Sequence, residues 1–360
     1  MPYNVSFISL GCAKNQVNCE QMMATVQHAG HNVVLSPEGA DVAVVNTCGF
    51  LASACEEAID NILEMAELKA EGKLKKIIVT GCMAQRYKDD VLHELPEVDA
   101  VLGTGSYGEI ARAVDEVMAP GGLRPCYMGD IQNCVQGGAR ILSTPSWYAY
   151  LRIAEGCDNC CAYCVIPRLR GRYRSRPMNE LLDEASELAS AGVKELIVIA
   201  QDITRYGTDL NGEHQLAALL RELCKLDFHW IRLHYLYPDD ITDELIDTIA
   251  QEKKIVPYLD IPIQHCNDDI LKAMNRRDTK ESIRKVSTTC ARASRALCCG
   301  RRSSQVFPAR GRRSSKSSAT SCARRRSSAR ACSRSRPRRG RRPRRWSTFR
   351  WRRPNAARSF

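Results

Sequence analysis

Between residues 4 and 118, short runs of apolar and β-branched residues alternate with longer stretches in which apolar positions recur at helical spacing. The runs fall at 4–10, 42–46 and 76–80, and the helix-like stretches at 15–29, 52–70 and 84–94. This alternation predicts β–α–β units, because parallel strands need a long crossover where antiparallel ones need only a tight turn. An open parallel sheet is therefore expected. A second series follows, with strand-like runs at 148–154, 195–200, 230–236 and 258–263 and helix-like stretches near 178–191, 215–226, 240–252 and 267–275. That order predicts a partial (βα) barrel whose active site would lie at the strand C-termini. Between the two series, 119–145 is rich in Gly, Pro and polar residues and has no sustained period, as expected of a linker. The chain is thus expected to be α/β, with a sheet domain at 1–120, a linker at 121–144, a partial barrel at 145–286 and a tail at 287–360.

Cysteine placement adds chemistry to this outline. Cys12, Cys48 and Cys82 each stand at the end of a predicted strand, in the strings Gly11-Cys12, Cys48-Gly49 and Gly81-Cys82. Ligands of open α/β sheets gather outside the carboxyl ends of the strands, so three thiols distant in sequence can converge on one crevice. A single buried cysteine is usually a small apolar core residue. Three at equivalent positions, each beside a Gly that allows close backbone approach, point instead to one metal cluster.

Cys157, Cys161 and Cys164 form a C-x3-C-x2-C run directly after the first strand of the second series. Three thiolates at this spacing can ligate three irons of a cubane 4Fe-4S cluster and leave the fourth iron open to S-adenosylmethionine, the arrangement of a radical enzyme. A structural zinc knuckle would need a fourth ligand, usually from a second C-x2-C pair. Cys160 is a spare thiol within the run. Gln201-Asp202 closes another strand, and Arg232, His234 and Tyr237 lie near the end of a third, where they could contact cofactor or substrate. The basic string 168–177 could meet an anion or form a solvated loop.

Charge divides the chain. From Ser287 onward there are 23 Arg, one Lys and no acid, whereas residues 1–286 hold 29 basic and 41 acidic residues. The overall +12 therefore describes the tail, and the acidic body argues against indiscriminate RNA binding. Thirteen of the 18 cysteines lie in the body, at wide spacings, with no signal peptide or membrane-spanning apolar run. A cytoplasmic protein with reduced thiols is expected.

Several strings resemble the methylthiotransferase family of radical S-adenosylmethionine enzymes: Ser9-Leu10-Gly11-Cys12-Ala13-Lys14-Asn15, Ile199-Ala200-Gln201-Asp202-Ile203-Thr204-Arg205-Tyr206-Gly207, Leu236-Tyr237-Pro238 and Ile261-Pro262-Ile263-Gln264-His265-Cys266. They are most similar to the branch that modifies an aspartate of a small-subunit ribosomal protein; the sister branch modifies a tRNA adenosine. The resemblance spans about 4–286. It implies two 4Fe-4S clusters, a radical-generating one on Cys157, Cys161 and Cys164 and an auxiliary one on Cys12, Cys48 and Cys82. It also implies S-adenosylmethionine as methyl and radical source; Gln201, Asp202 and Arg232, from their places near strand ends, are the candidate cofactor contacts, each equally open to a structural role. The expected partners are the ribosomal protein substrate and an electron-donor protein, with RNA contact possible and no membrane. A non-catalytic metal-containing RNA-binding protein is the alternative from another class.

After residue 286 the resemblance stops, and Ser, Arg and Ala dominate a segment expected to be disordered. Rereading 289–310 one frame over permits Leu-Arg-Ala-Arg-Ile-Pro-Gly-Ile-Val-Leu-Arg-Thr-Thr-Leu-Ile-Thr-Gly-Phe-Pro-Gly-Glu, a strand and turn suited to continue the barrel. A frameshift near 287 is the expectation. The barrel would then end early, with an exposed strand edge, and lack the family's terminal RNA-binding-type domain.

Overall fold

The computed structural model describes residues 1–121, 124–134, 137–293 and 298–303. The first half is a six-stranded sheet of β1 (Asn4–Ser9), β2 (Asn32–Val34), β3 (Val42–Thr47), β4 (Lys76–Gly81), β5 (Ala100–Leu102) and β6 (Cys126–Tyr127), in the order β2-β1-β3-β4-β5-β6. Every pairing is parallel. The crossovers run through α1 (Ala13–His28), α2 (Ala52–Ala70), α3 (Cys82–Glu94) and α4 (Ile110–Met118). β3 is buried along its whole length, as a central strand covered on both faces must be. Met22 and Val26 of α1 and Ile110 and Val114 of α4 pack on Val42, Val44 and Ile78.

The three long strands occur where the apolar pattern places them. β2, β5 and β6 are too short to show a period, and β6 lies inside the segment expected to be a linker. That segment is held on the first half by buried polar contacts. Ser143 donates to Glu20 Oε1 from its backbone N at 3.0 Å and its hydroxyl at 2.8 Å, and Arg140 pairs with Glu20 at 3.4 Å.

The second half begins with β7 (Tyr148–Arg152), then β8 (Ala154–Glu155), α5 (Ile166–Arg170), β9 (Arg174–Ser175) and α6 (Met178–Ser190). It continues through β10 (Glu195–Ile199), α7 (Thr208–Asn211), α8 (Leu216–Leu223), β11 (Trp230–Leu233) and α9 (Asp243–Gln251). It ends in β12 (Ile255–Gln264), α10 (Asp268–Ala273), α11 (Lys280–Ala293) and β13 (Cys298–Ser303). The parallel sheet runs β13-β12-β11-β10-β7, an open five-stranded partial barrel, while β8 and β9 pair antiparallel beside it. Leu196 and Val198 of β10 face the helices with Leu181 and Leu188 of α6 and Leu219 of α8. Ile197 and Ile199, on the opposite face, meet Val17 of α1. One helix of the first half therefore packs directly on the second sheet.

The expected break at 287 is corrected over the described residues. α11 continues to Ala293, and β13 pairs in parallel with β12 from Tyr258↔Cys298 to Gln264↔Ser303, so the edge expected to be open is covered. Strand addition is made by backbone hydrogen bonds, so an Arg/Ser-rich composition does not prevent it. The rest of the tail, with the disorder and the lack of a terminal domain expected there, lies outside the described residues.

Candidate functional site

β1, β3 and β4 are neighbours in the sheet, so the loops leaving their C-termini lie side by side. Cys12 caps the start of α1, Cys48 follows β3, and Cys82 opens α3. Two glycines let these loops close on one another. A Cβ on Gly11, whose φ is +95°, would stand 2.7 Å from Cys48 Cβ, and one on Gly49 would stand 2.6 Å from the Cys82 carbonyl oxygen. Any side chain at either position would push the cysteines apart.

Asn15 ties the loops together. Its Nδ2 donates to Leu10 O at 3.0 Å and Thr47 O at 2.9 Å, and Asn46 Nδ2 donates to its carbonyl at 2.7 Å. Cys82 Sγ lies 3.8 Å from Asn15 Oδ1. Desolvation opposes ionisation of Cys12, but Lys14, Arg170 and the backbone N–H groups of Asn15 and Lys14 draw its pKa below the usual thiol value. Cys82 is shifted the other way, by burial, with Arg170 opposing.

The second triad occupies the loop between β8 and α5. Its backbone is pinned by Cys157 N to Gly171 O at 3.1 Å, Ala162 N to Met274 O at 2.9 Å and Asn275 Nδ2 to Cys160 O at 2.8 Å. Cys157, Cys161 and Cys164 are half-buried, whereas the spare Cys160 is exposed and takes a positive φ of 48°. Burial pushes the Cys157 thiol up to about 12 and raises Cys164 as well, so binding a metal here would expel protons.

No three Cys, His, Asp or Glu side chains among the described residues converge as ligands of a single metal ion. The cysteines of each triad share one set of neighbouring loops or one short loop.

Between the triads lies a buried ionic network that pattern reading missed. Glu155 Oε2 accepts from Arg152 Nη1 at 2.9 Å and Arg170 Nη1 at 3.1 Å, and Glu155 Oε1 accepts from Gln201 Nε2. Burial would raise the Glu155 pKa, but the two guanidiniums, Gln201 and the Gly156 N–H hold it at about 2. Arg170 also donates to Asn18 Oδ1 at 2.7 Å and Asn15 Oδ1 at 2.5 Å, across to α1. Of the basic string, Arg170 and Arg176 are buried, and Arg168 and Arg172 are the solvated members. Lys14, also missed, places Nζ 3.2 Å from Ala200 O and 3.6 Å from the ring centroid of Tyr235.

Gln201 and Asp202 lie at this crevice, in different roles. Gln201 Oε1 is buried without a hydrogen-bond partner among the described residues. Asp202 is already engaged, accepting from Asn159 Nδ2 at 3.0 Å, Thr204 N at 3.1 Å and the Thr204 hydroxyl, so it braces the cysteine loop. Arg232 is not gathered with them. Its Nε meets Glu195 Oε1 at 2.5 Å, where Glu195 is the first residue of β10, so the side chain is committed to the strand's N-terminal half. His234 sits edge-on to Tyr235, with ring centroids 5.7 Å apart. Tyr237 packs under Arg276 at 4.3 Å, and Arg276 reaches Tyr163 of the cysteine loop at 3.5 Å.

Residues 4–103 match an uncharacterized protein family described as UPF0004, and residues 151–300 match the radical SAM superfamily. Three similar relatives carry the name ribosomal protein uS12 methylthiotransferase RimO. The protein from Thermoanaerobacter sp. (strain X514) is 48% identical over 284 residues, 79% of this chain and 65% of the relative. The Lachnoclostridium phytofermentans protein is 51% identical over 281 residues, 78% of this chain and 63% of its own. The Clostridioides difficile (strain 630) protein is 50% identical, with the same coverage. The chain thus spans just under two thirds of the length of the curated relatives it matches.

Two solved structures share the fold. The radical S-adenosylmethionine methyltransferase TsrM from Kitasatospora setae superposes with a TM-score of 0.60 at 14% identity, covering 84% of this chain and 69% of its own. The cobalamin-dependent radical enzyme OxsB superposes with a TM-score of 0.55 at 13% identity, covering 83% of this chain and 49% of its own.

Proposed function

We propose that the chain is a RimO-type methylthiotransferase of the radical S-adenosylmethionine superfamily and that it adds a methylthio group to the β-carbon of an aspartate in ribosomal protein uS12. The observation that carries this reading is the pair of cysteine triads at strand C-termini, joined through the buried Asn15–Arg170–Glu155 contacts. Two 4Fe-4S clusters and S-adenosylmethionine, when bound, supply the radical and sulfur-transfer chemistry.

Within this reading, Cys157, Cys161 and Cys164 hold one cluster, and Cys12, Cys48 and Cys82 hold the auxiliary one. Gln201 offers its unpartnered Oε1 as an acceptor for the amino group of S-adenosylmethionine. Asp202 acts through Asn159 to hold the cysteine loop in place. Arg232, already paired with Glu195, is a strand brace in this account. Lys14 supports an acidic substrate: its ammonium stands at the end of β10, where an aspartate carboxylate would find a cation and an adenine base would not need one.

No helix of the described residues is long and apolar enough to cross a membrane. A cytoplasmic enzyme working with an electron-donor protein and meeting ribosomal RNA near its substrate fits the reading. Anaerobic reconstitution of the chain tests it. Roughly eight irons per chain and reductive cleavage of S-adenosylmethionine are expected, with methylthiolated uS12 detected by mass spectrometry in a complemented deletion strain. Restoration of a tRNA adenosine mark in place of the uS12 mark would overturn the substrate, and zinc binding without cleavage would overturn the enzyme.

A further inference from the structure

Arg170 comes from the second half of the chain, at the end of α5, six residues beyond the last cysteine of the C-x3-C-x2-C loop. Its guanidinium is nevertheless built into the other triad. Arg170 Nη2 donates to Asn15 Oδ1 at 2.5 Å, and Cys82 Sγ lies 3.8 Å from that same oxygen, so one amide oxygen bridges the guanidinium and the thiol. The side chain is 2% exposed, so water screens this charge little. On its other side, Nη1 meets Glu155 Oε2 at 3.1 Å, and Glu155 shares that oxygen with Arg152. The single carboxylate therefore faces two guanidiniums, and a positive charge is left one amide oxygen away from the Cys82 sulfur.

Reduction potentials of iron-sulfur centres depend on net charge, hydrogen bonds to the sulfurs and solvent exposure, and a buried cation close to a ligand sulfur favours the reduced form. We infer that Arg170 is a positioning residue for the Cys12–Cys48–Cys82 centre, raising that centre's reduction potential through its buried charge and its contact with Asn15, whose side-chain oxygen Cys82 approaches. The inference rests on the reading that these three cysteines hold an iron-sulfur cluster. It gives the arginine a task that structural bracing alone would not, since it makes the potential of one centre depend on a charge supplied by the half of the chain that carries the other.

The test uses the full chain with Cys157, Cys161 and Cys164 replaced by Ala, reconstituted anaerobically so that roughly four irons remain. The midpoint potential of that centre is then measured by EPR-monitored redox titration. Arg170→Gln is expected to lower the midpoint, and Arg170→Lys, which restores the charge, to bring it back toward the parent value. Glu155→Gln keeps the shape but removes the anion facing Arg170, so it is expected to move the midpoint upward. An unchanged midpoint in Arg170→Gln overturns the inference. Should that variant fail to fold, a midpoint that falls or stays put in Glu155→Gln overturns it equally. A parent chain that binds no iron on the three remaining cysteines overturns the cluster reading and the inference with it, whereas iron bound with an unmoved midpoint overturns the inference alone.

Discussion

Lys14 Nζ lies 3.2 Å from the carbonyl oxygen of Ala200, joining the helix that starts at Cys12 to the strand end that carries Gln201. The same ammonium rests 3.6 Å over the ring of Tyr235, a residue with a positive φ of 68° just beyond β11. The lysine is buried, and burial lowers its pKa, with Cys12 and Glu155 opposing.

Lys14→Met keeps the length and apolar body of the side chain but removes the charge. It is expected to leave iron content unchanged and to reduce kcat/KM for the proposed substrate, uS12, by about a hundredfold, the typical effect of losing one well-placed donor. Steady-state kinetics beside an iron assay checks this. A full loss of iron would assign Lys14 to cluster assembly instead.

Glu155→Ala leaves Arg152 and Arg170 buried without their shared carboxylate. Removing one partner of a buried ionic group costs about 3–5 kcal/mol, so a marked fall in Tm is expected by calorimetry.

The same residue sets a pH dependence. Its folded pKa, about 2, lies below the unfolded value near 4.5, so its contribution to stability is complete above that unfolded value. The contribution is lost as pH falls from about 4.5 toward about 2, and acid unfolding of Glu155→Gln is expected to lack that component. Denaturant titrations of both chains across that range would show it, and parallel curves would refute it.

The two neighbouring thiols of the loop are expected to separate cleanly. Cys161→Ala should lose the iron of one cubane, roughly four atoms, while Cys160→Ala should keep the full complement, because Cys160 is exposed at the turn. Iron and sulfide analysis distinguishes them, and equal losses would reassign the ligand.

Ending the chain after residue 293 removes β13 and bares the edge of β12. Self-association is expected in size-exclusion chromatography, since an open edge is a template for another strand. A truncated chain with unchanged elution and Tm would show that β13 contributes no protection.

The long strands and the cysteines at their ends were legible because each is a local pattern: a β-rich run, a Gly beside a Cys, a closely spaced thiol set. β5 and β6, with three and two residues, carry no period at all. The Arg170 contacts to Asn18 and Asn15 join residues 152 and 155 positions apart, and nothing local in a basic string marks which arginine will be buried. Strand alternation places Arg232 on a face, but it cannot reveal that Glu195 on the adjoining strand takes its charge. The composition of the segment after 287 concealed β13 for a different reason. Ladder hydrogen bonds come from the backbone, so an edge can recruit a strand whose side chains show no pattern.

α1 begins at a cysteine of one triad and, barely more than a turn later, buries Val17 against Ile197 and Ile199 of the strand that leads to Gln201. A hinge that opened the crevice would have to peel this helix from β10 and strand Lys14 and Arg170 without their partners. The spacing of the two cysteine triads is therefore tied to the seating of a single helix, which holds the first sheet's loops and the second sheet's strand end in one register.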